Sequence, residues 1–124
     1  MSSETALTEA LDRLRQTSRR IRDLEAEARR LAAAGDVSGH RRLMVEKTET
    51  LTGLPAALSD LMAALPPAQA RQITDGAKDF ARRAGQALAV GSPFYMSSLL
   101  YPDDYVEGEP NDLERFIAEL AGEA

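Results

Sequence analysis

From Glu4 to about Ala34 the chain contains neither proline nor glycine, and Leu7, Leu11, Leu14, Ile21, Leu24, Ala28 and Leu31 recur mostly three and four residues apart. That spacing follows the 3.6-residue turn, so one long amphipathic helix is expected here. Thirty residues at ~1.5 Å rise give a rod of about 45 Å, longer than a compact domain of this size needs. Leu7, Leu14, Ile21 and Ala28 repeat by seven, which suits coiled-coil packing, whereas Ser18 and Glu25 interrupt the companion row and argue against a strict zipper.

The stretch "AAGDVSGH" ends that helix. Gly35 can take the left-handed conformation that closes a helix, and Asp36 or Ser38 can accept from the free amides of the next one. The chain is then expected to turn back as a hairpin. A second helix, about residues 37–65, presents Leu43, Met44, Lys47, Leu51, Leu54, Leu58, Leu61 and Leu65. Gly53 and Pro55 lie inside it. Proline removes a backbone donor and clashes with the preceding turn, so a kink or short break is expected there, with Pro55 at a restarting first turn.

"LPPAQ" is a firmer stop, and Pro67 opens a third helix to about Val90 with an inner face of Ile73, Ala77, Phe80, Ala84, Ala87 and Leu88; Gly76 and Gly85 lie alongside and would let another helix approach. Ser92 and Pro93 then stand as N-cap and first helical residue of a segment that stops before Pro102. "DDYVEGEP" reads as a loop. In "PNDLERFIAEL", Asn111 and Glu114 have capping-box spacing, and Leu113, Phe116, Ile117 and Leu120 form one apolar stripe. No strand pattern and no sequence repeat appears. The expected fold is all-α, an elongated helical hairpin or irregular three-helix bundle, with C-terminal short helices packed across it. Residues 1–91 make the long-helix part and residues 92–124 an aromatic, acidic segment of the same domain.

Composition narrows the function classes. The 124 residues include no cysteine and a single histidine, His40, so disulfides, thiolate chemistry and multi-histidine metal sites are excluded. The first 91 residues carry 14 basic and 12 acidic side chains and the rest one basic (Arg115) and eight acidic, for a net charge of −5. An acidic tail is repelled by phosphate backbones and anionic lipid, so neither nucleic acid nor a membrane surface is an expected partner. No apolar run approaches the ~20 residues that cross a bilayer, and the N-terminus lacks a basic region followed by an apolar one. A cytoplasmic location follows as the expectation. Nothing points to an enzyme, a cofactor or a metal: Asp103 and Asp104 read as solvated turn residues, His40 as a surface residue, and the glycines form no phosphate loop. Arg15, Arg19, Arg22, Arg29 and Arg30 lie along one side of the first helix. Interleaved Asp12, Asp23, Glu25 and Glu27 favour a solvated face, and a fold-back of the acidic tail onto these arginines is a further possibility.

One segment stands apart. "SPFYMSSLLYPDDY" holds all three tyrosines and one of the three phenylalanines. If residues 93–101 are helical, Phe94, Tyr95, Met96, Leu99, Leu100 and Tyr101 surround its axis, and a helix apolar all round is buried or bound. Phe94, Tyr95, Tyr101, Tyr105 and Phe116 bring on the order of 150 Å² each, or roughly 750 Å². Soluble monomers seldom expose a contiguous patch above ~300–600 Å². Two readings stand. In one, the segment completes the core of the hairpin. In the other, Phe94, Tyr95, Met96, Leu99, Leu100, Tyr101, Tyr105, Phe116 and Ile117 form part of a surface that meets a partner's helical segment, or a second copy in a dimer.

Residues 31–58, "LAAAGDVSGHRRLMVEKTETLTGLPAAL", carry Gly35, Asp36, Leu43, Lys47, Leu51 and Leu54 in a pattern that resembles FlgN-type flagellar export chaperones. The resemblance covers about a quarter of the chain. It implies a small helical cytoplasmic protein that masks helical termini of flagellar hook-associated proteins through its C-terminal part. The aromatic block and the well-patterned final helix depart from that family, whose C-terminal part tends to be more polar. The expected function is therefore a non-catalytic protein-binding module, chaperone-like in its sharpest form, and the alternative is a structural homo-oligomer.

Overall fold

In the computed structural model, which describes residues 1–123, the first apolar stripe winds into α1, Ser3–Ala33. Ser2 caps it by accepting from the Thr5 amide, and Gly35 closes it at φ +82°. Asp36 then accepts from Gly39 N at 2.8 Å and opens α2, Val37–Thr52. The two helices pack along their length as the expected hairpin. Ala6, Ala10, Leu14, Ile21 and Ala28 are buried on α1, but so are Ser18 and Glu25. The companion row does not break where its apolar character does; it carries polar groups inward.

The break at Gly53 and Pro55 also forms. Gly53 N still donates to Glu49 O, and the chain restarts as α3, Leu54–Leu58, with the Ala57 amide donating to Gly53 O. Residues Ser59–Ala64 tighten into a 3-10 turn rather than continuing the helix, and Arg13 of α1 ties this segment down through Ala57 O at 2.9 Å and Asp60 at 2.6 Å. Leu65 is extended, as a residue before proline must be, and Pro67 begins α4, Pro67–Val90. Ile73, Ala77, Phe80, Ala84 and Ala87 of α4 are buried while Leu88 is half-buried, and α4 packs on α2 and α3.

The C-terminal third lies across this frame. Left-handed Gly91 ends α4, and α5, Pro93–Ser98, packs on α2 and α4. Ser92 occupies the N-cap position, yet its side chain makes no capping bond. The helix expected over residues 93–101 stops at Ser98, because Leu99 turns extended and Leu100 adopts φ +78°, a region that a leucine enters only at a steric cost. After a loop, α6, Asp112–Ala121, lies on α1 and reaches α4 through Phe116, whose ring meets Phe80 edge-on at 5.6 Å. It has the full capping box: Glu114 N donates to Asn111 Oδ1, and Asn111 N donates to Glu114 Oε1. Gly76 is where α6 approaches α4, since a Cβ there would overlap the Phe116 ring; Gly85 faces open space. Among the described residues the fold is all-α, with no strand.

Candidate functional site

Two apolar clusters make the interior. The larger joins the first half of α1 to Leu51–Leu65, α4 and α6; the smaller holds Leu24, Ala28, Leu43, Met44, Ala87 and Met96. Beside them runs a set of polar groups, buried at Glu25, Lys47 and Asn111 and half-buried at Arg22, Tyr101 and Glu114. Lys47 on α2 and Glu25 on α1 face each other at 2.9 Å, with side chains 0% and 5% exposed. Lys47 Nζ also donates to Ser97 O at 3.2 Å and Leu99 O at 3.1 Å, the carbonyls where α5 runs out. The Tyr101 hydroxyl donates to Glu25 Oε1 at 2.6 Å and accepts from Arg22 at 3.1 Å. Arg22 continues to Glu114 at 2.6 Å, and Asn111 Nδ2 lies 3.5 Å from the Tyr101 hydroxyl. Both Lys47 Nζ, at 5.2 Å, and Arg22 Cζ, at 5.6 Å, lie over the Tyr101 ring.

The electrostatics follow from this burial. Desolvation pushes the Lys47 ammonium below its ordinary 10.5, and the facing Glu25 carboxylate only partly opposes it. Desolvation, reinforced by the hydrogen bond to the Glu25 carboxylate, raises the Tyr101 phenol above its ordinary 10. For Glu114 burial pushes upward, but the Arg22 hydrogen bond, the Asn111 amide and the Arg22 charge together hold the carboxyl below 4.5. Part of the acidic tail thus folds back on α1: Arg22 meets Glu114, and Arg15 meets Glu123 at 3.5 Å.

The nine residues singled out in the sequence separate into three groups. Met96, Leu100 and Ile117 are buried in the chain's own core. Leu99, Tyr101, Tyr105 and Phe116 are half-buried; Tyr101 stacks edge-on with Tyr105 at 4.8 Å, and Phe116 lies on Gly76. Phe94 and Tyr95, in edge contact at 5.7 Å, stand 73% and 54% exposed. Val90, 63% exposed, lies close by in the chain, and an open groove of about 360 Å³ runs between α4 and α5, walled by Arg83, Gln86, Ala87, Val90, Tyr95, Ser98 and Leu99. A second mostly apolar groove, of about 410 Å³, lies between α3 and α4 beside Pro55, Met62, Ile73 and Ala77. His40 is half-buried and borders a cleft of about 170 Å³ with Glu25, Arg29 and Met44. Asp103 and Asp104 are exposed turn residues.

The sequence did hold a signal for the buried pair. Glu25 and Lys47 stand eleven residues on either side of Asp36, so a hairpin closing at that turn brings them level, and both fall in inward rows. Tyr101 gave no comparable signal, because its partners lie far away along the chain. No protein-family model matches the chain, and no curated protein or solved structure matches it either. No helix of the described residues is long and apolar enough to cross a membrane.

Proposed function

We propose that the chain is a non-catalytic protein-binding module that takes a helical segment of a partner along the edge formed by Val90, Phe94 and Tyr95. The observation that carries this reading is the exposure of two adjacent aromatic rings beside an apolar groove, on a chain whose other aromatic rings are buried or half-buried. Aromatic rings suit such a role because they bring much contact area at little entropic cost. Groove and rings together offer what an amphipathic helix needs: a trough for one side chain and a flat wall for its neighbours. A secretion chaperone of the FlgN type, cytoplasmic and engaging helical termini of flagellar subunits, is the sharpest version, supported by the Gly35–Asp36 turn and the Leu43, Lys47, Leu51, Leu54 pattern.

The test is capture from the native cytoplasm with wild-type chain and with Phe94→Ala/Tyr95→Ser. Recovery of a stoichiometric partner by the first and not the second supports the reading. Equal recovery by both removes the edge from it, and the absence of any flagellar subunit removes the chaperone version. The same edge could instead meet a second copy as a dimer, the homo-oligomer reading. Mass in solution separates the two: a strict monomer at high concentration eliminates it, and a dimer dissolved by the double substitution establishes it.

A further inference from the structure

The hairpin holds two full charges that its own packing does not require. Glu25 and Lys47 occupy inward positions of α1 and α2 where apolar residues would close the same seam. Their remaining bonding capacity goes almost entirely to one other segment. Lys47 Nζ lies 2.9 Å from Glu25 Oε2 as an ion pair, and its hydrogen bonds go to Ser97 O and Leu99 O. Of the two Glu25 oxygens, one faces Lys47 and the other accepts from the Tyr101 hydroxyl. Three of the pair's contacts therefore fall on residues 97–101, where the backbone leaves α5.

That segment needs outside help. A six-residue helix leaves most of its carbonyls without partners inside the helix; Ser98 O accepts from the Tyr101 amide at 3.0 Å, while Lys47 meets the carbonyl of Ser97 in the last turn and that of Leu99 at the C-cap. The next residue, Leu100, is buried in the left-handed region and is pinned from the far side by the Asp112 amide at 2.9 Å. A strained non-glycine residue persists only where its surroundings over-determine it. Here they comprise Lys47 before it, Tyr101 after it and the start of α6 behind it. By contrast, most of residues 102–110 is exposed.

We propose that Glu25, Lys47 and Tyr101 form a latch that fixes the pose of a C-terminal strap, residues 97–111, on the helical hairpin, and that the strap opens as one unit when the latch is broken while α1 and α2 stay paired. A buried polar set is suited to this because it accepts one register only: a shift of the strap by one residue would strand a charge where an apolar contact would slide. Because Lys47 holds the end of α5, the latch also fixes how Phe94 and Tyr95 face outward. That last consequence rests on the function proposed for the edge; the latch itself does not.

The experiment follows amide exchange of the full chain, residue by residue, in Tyr101→Phe and Lys47→Met. Tyr101→Phe keeps the ring and lies outside the hairpin. It is expected to raise exchange at least tenfold over residues 97–111 and leave the amides around Leu14, Ile21 and Leu51 unchanged. Lys47→Met also strands Glu25 and so lowers overall stability; it is expected to raise exchange over residues 97–111 by a larger factor than around Leu14, Ile21 and Leu51. Tyrosine fluorescence supplies an independent readout: a phenol bonded to a carboxylate is quenched, so opening brightens emission, and Tyr101→Phe abolishes that change. Uniform acceleration over all helices would make these residues ordinary core. No acceleration in either variant would leave no latch. Neither result depends on any partner, so the latch and the docking edge fail separately.

Discussion

α6 and α5 both lie across the long helices, yet they are held by opposite physics. α6 buries Leu113, Ile117 and Leu120 and half-buries Phe116 on one stripe, with Asn111 and Glu114 closing its cap and Asp112 and Glu114 adding ion pairs to Arg83 and Arg22 at its edge. α5 buries only Met96, and the chain beyond it is fixed by an ammonium, a carboxylate and a phenol. Apolar burial is tolerant of small shifts and spreads over many contacts. A buried charge set stands or fails as a whole, so the strap end of the molecule is specified by a few groups and the α6 end by an area.

The largest expected effect tests the charge set. Glu25→Ala leaves Lys47 buried without its counter-ion, and breaking a buried pair from one side costs about 3–5 kcal/mol. The double change Glu25→Leu/Lys47→Met removes both charges and should recover most of that loss or exceed wild type, while the strap loses its unique pose. Chemical denaturation measures the first part and amide exchange over residues 97–111 the second. A loss below about 1 kcal/mol in the single variant would show that the pair behaves as a solvated one.

Next comes the apolar side of the comparison. Leu113 is fully buried, and Leu113→Ala should cost about 2–5 kcal/mol, with the spread set by how far α1 and α6 close the cavity. The two losses should add if the regions are independent, since Glu25 bonds Lys47 and Tyr101 while Leu113 sits in the larger apolar cluster. Coupling of more than about 0.5 kcal/mol between Leu113→Ala and Glu25→Ala would merge the two regions into one cooperative unit.

The same contrast explains what could be read from the chain. α1, the Gly35–Asp36 turn, the interruption at Gly53–Pro55, the start of α4 at Pro67 and the Asn111–Glu114 capping box each follow from local chemistry: a period, a cap, a missing donor. Each is visible within a few residues. The end of α5 is not of that kind. Residues 93–101 are apolar enough to continue a helix, yet they stop at Ser98, where a lysine some fifty residues earlier takes the Ser97 and Leu99 carbonyls. Glu25 likewise looks like a flaw in a leucine row until Tyr101 and Lys47 are beside it. Of the aromatic block, area reasoning placed most of the rings in cover, while which two remained outside depended on where α5 docks.

A smaller effect probes the fit of α6 on α4. Gly76→Ala would ordinarily favour a helix interior, but its methyl would overlap the Phe116 ring. Overpacking of this kind costs about 1–3 kcal/mol, and shortening the ring with Phe116→Leu in the same chain should return part of it. Thermal melts of the two variants decide the matter. A stabilised Gly76→Ala would mean that α6 yields to the methyl and that its register is loosely held.

The smallest effect lies where the two regions meet, at Glu114, which belongs to the cap of α6 and also bonds Arg22 at the rim of the latch. Its carboxyl is held below 4.5 in the folded chain, so its contribution is present above that value and is lost as pH falls through the lower folded one. Acid should therefore loosen the link between α6 and the strap, while the Leu113–Leu120 stripe, which does not titrate, keeps α6 in place. The side chain is about a third exposed, so water screens the pair and the loss is modest. Carbon-13 shifts of the Glu114 carboxyl give its inflection directly. In Arg22→Ala the cation is gone and the desolvation remains, so the inflection should rise towards or past 4.5 even though the Asn111 amide still donates. An unmoved inflection would assign the depression to the cap alone, and α6 would then owe nothing to the polar set beside it.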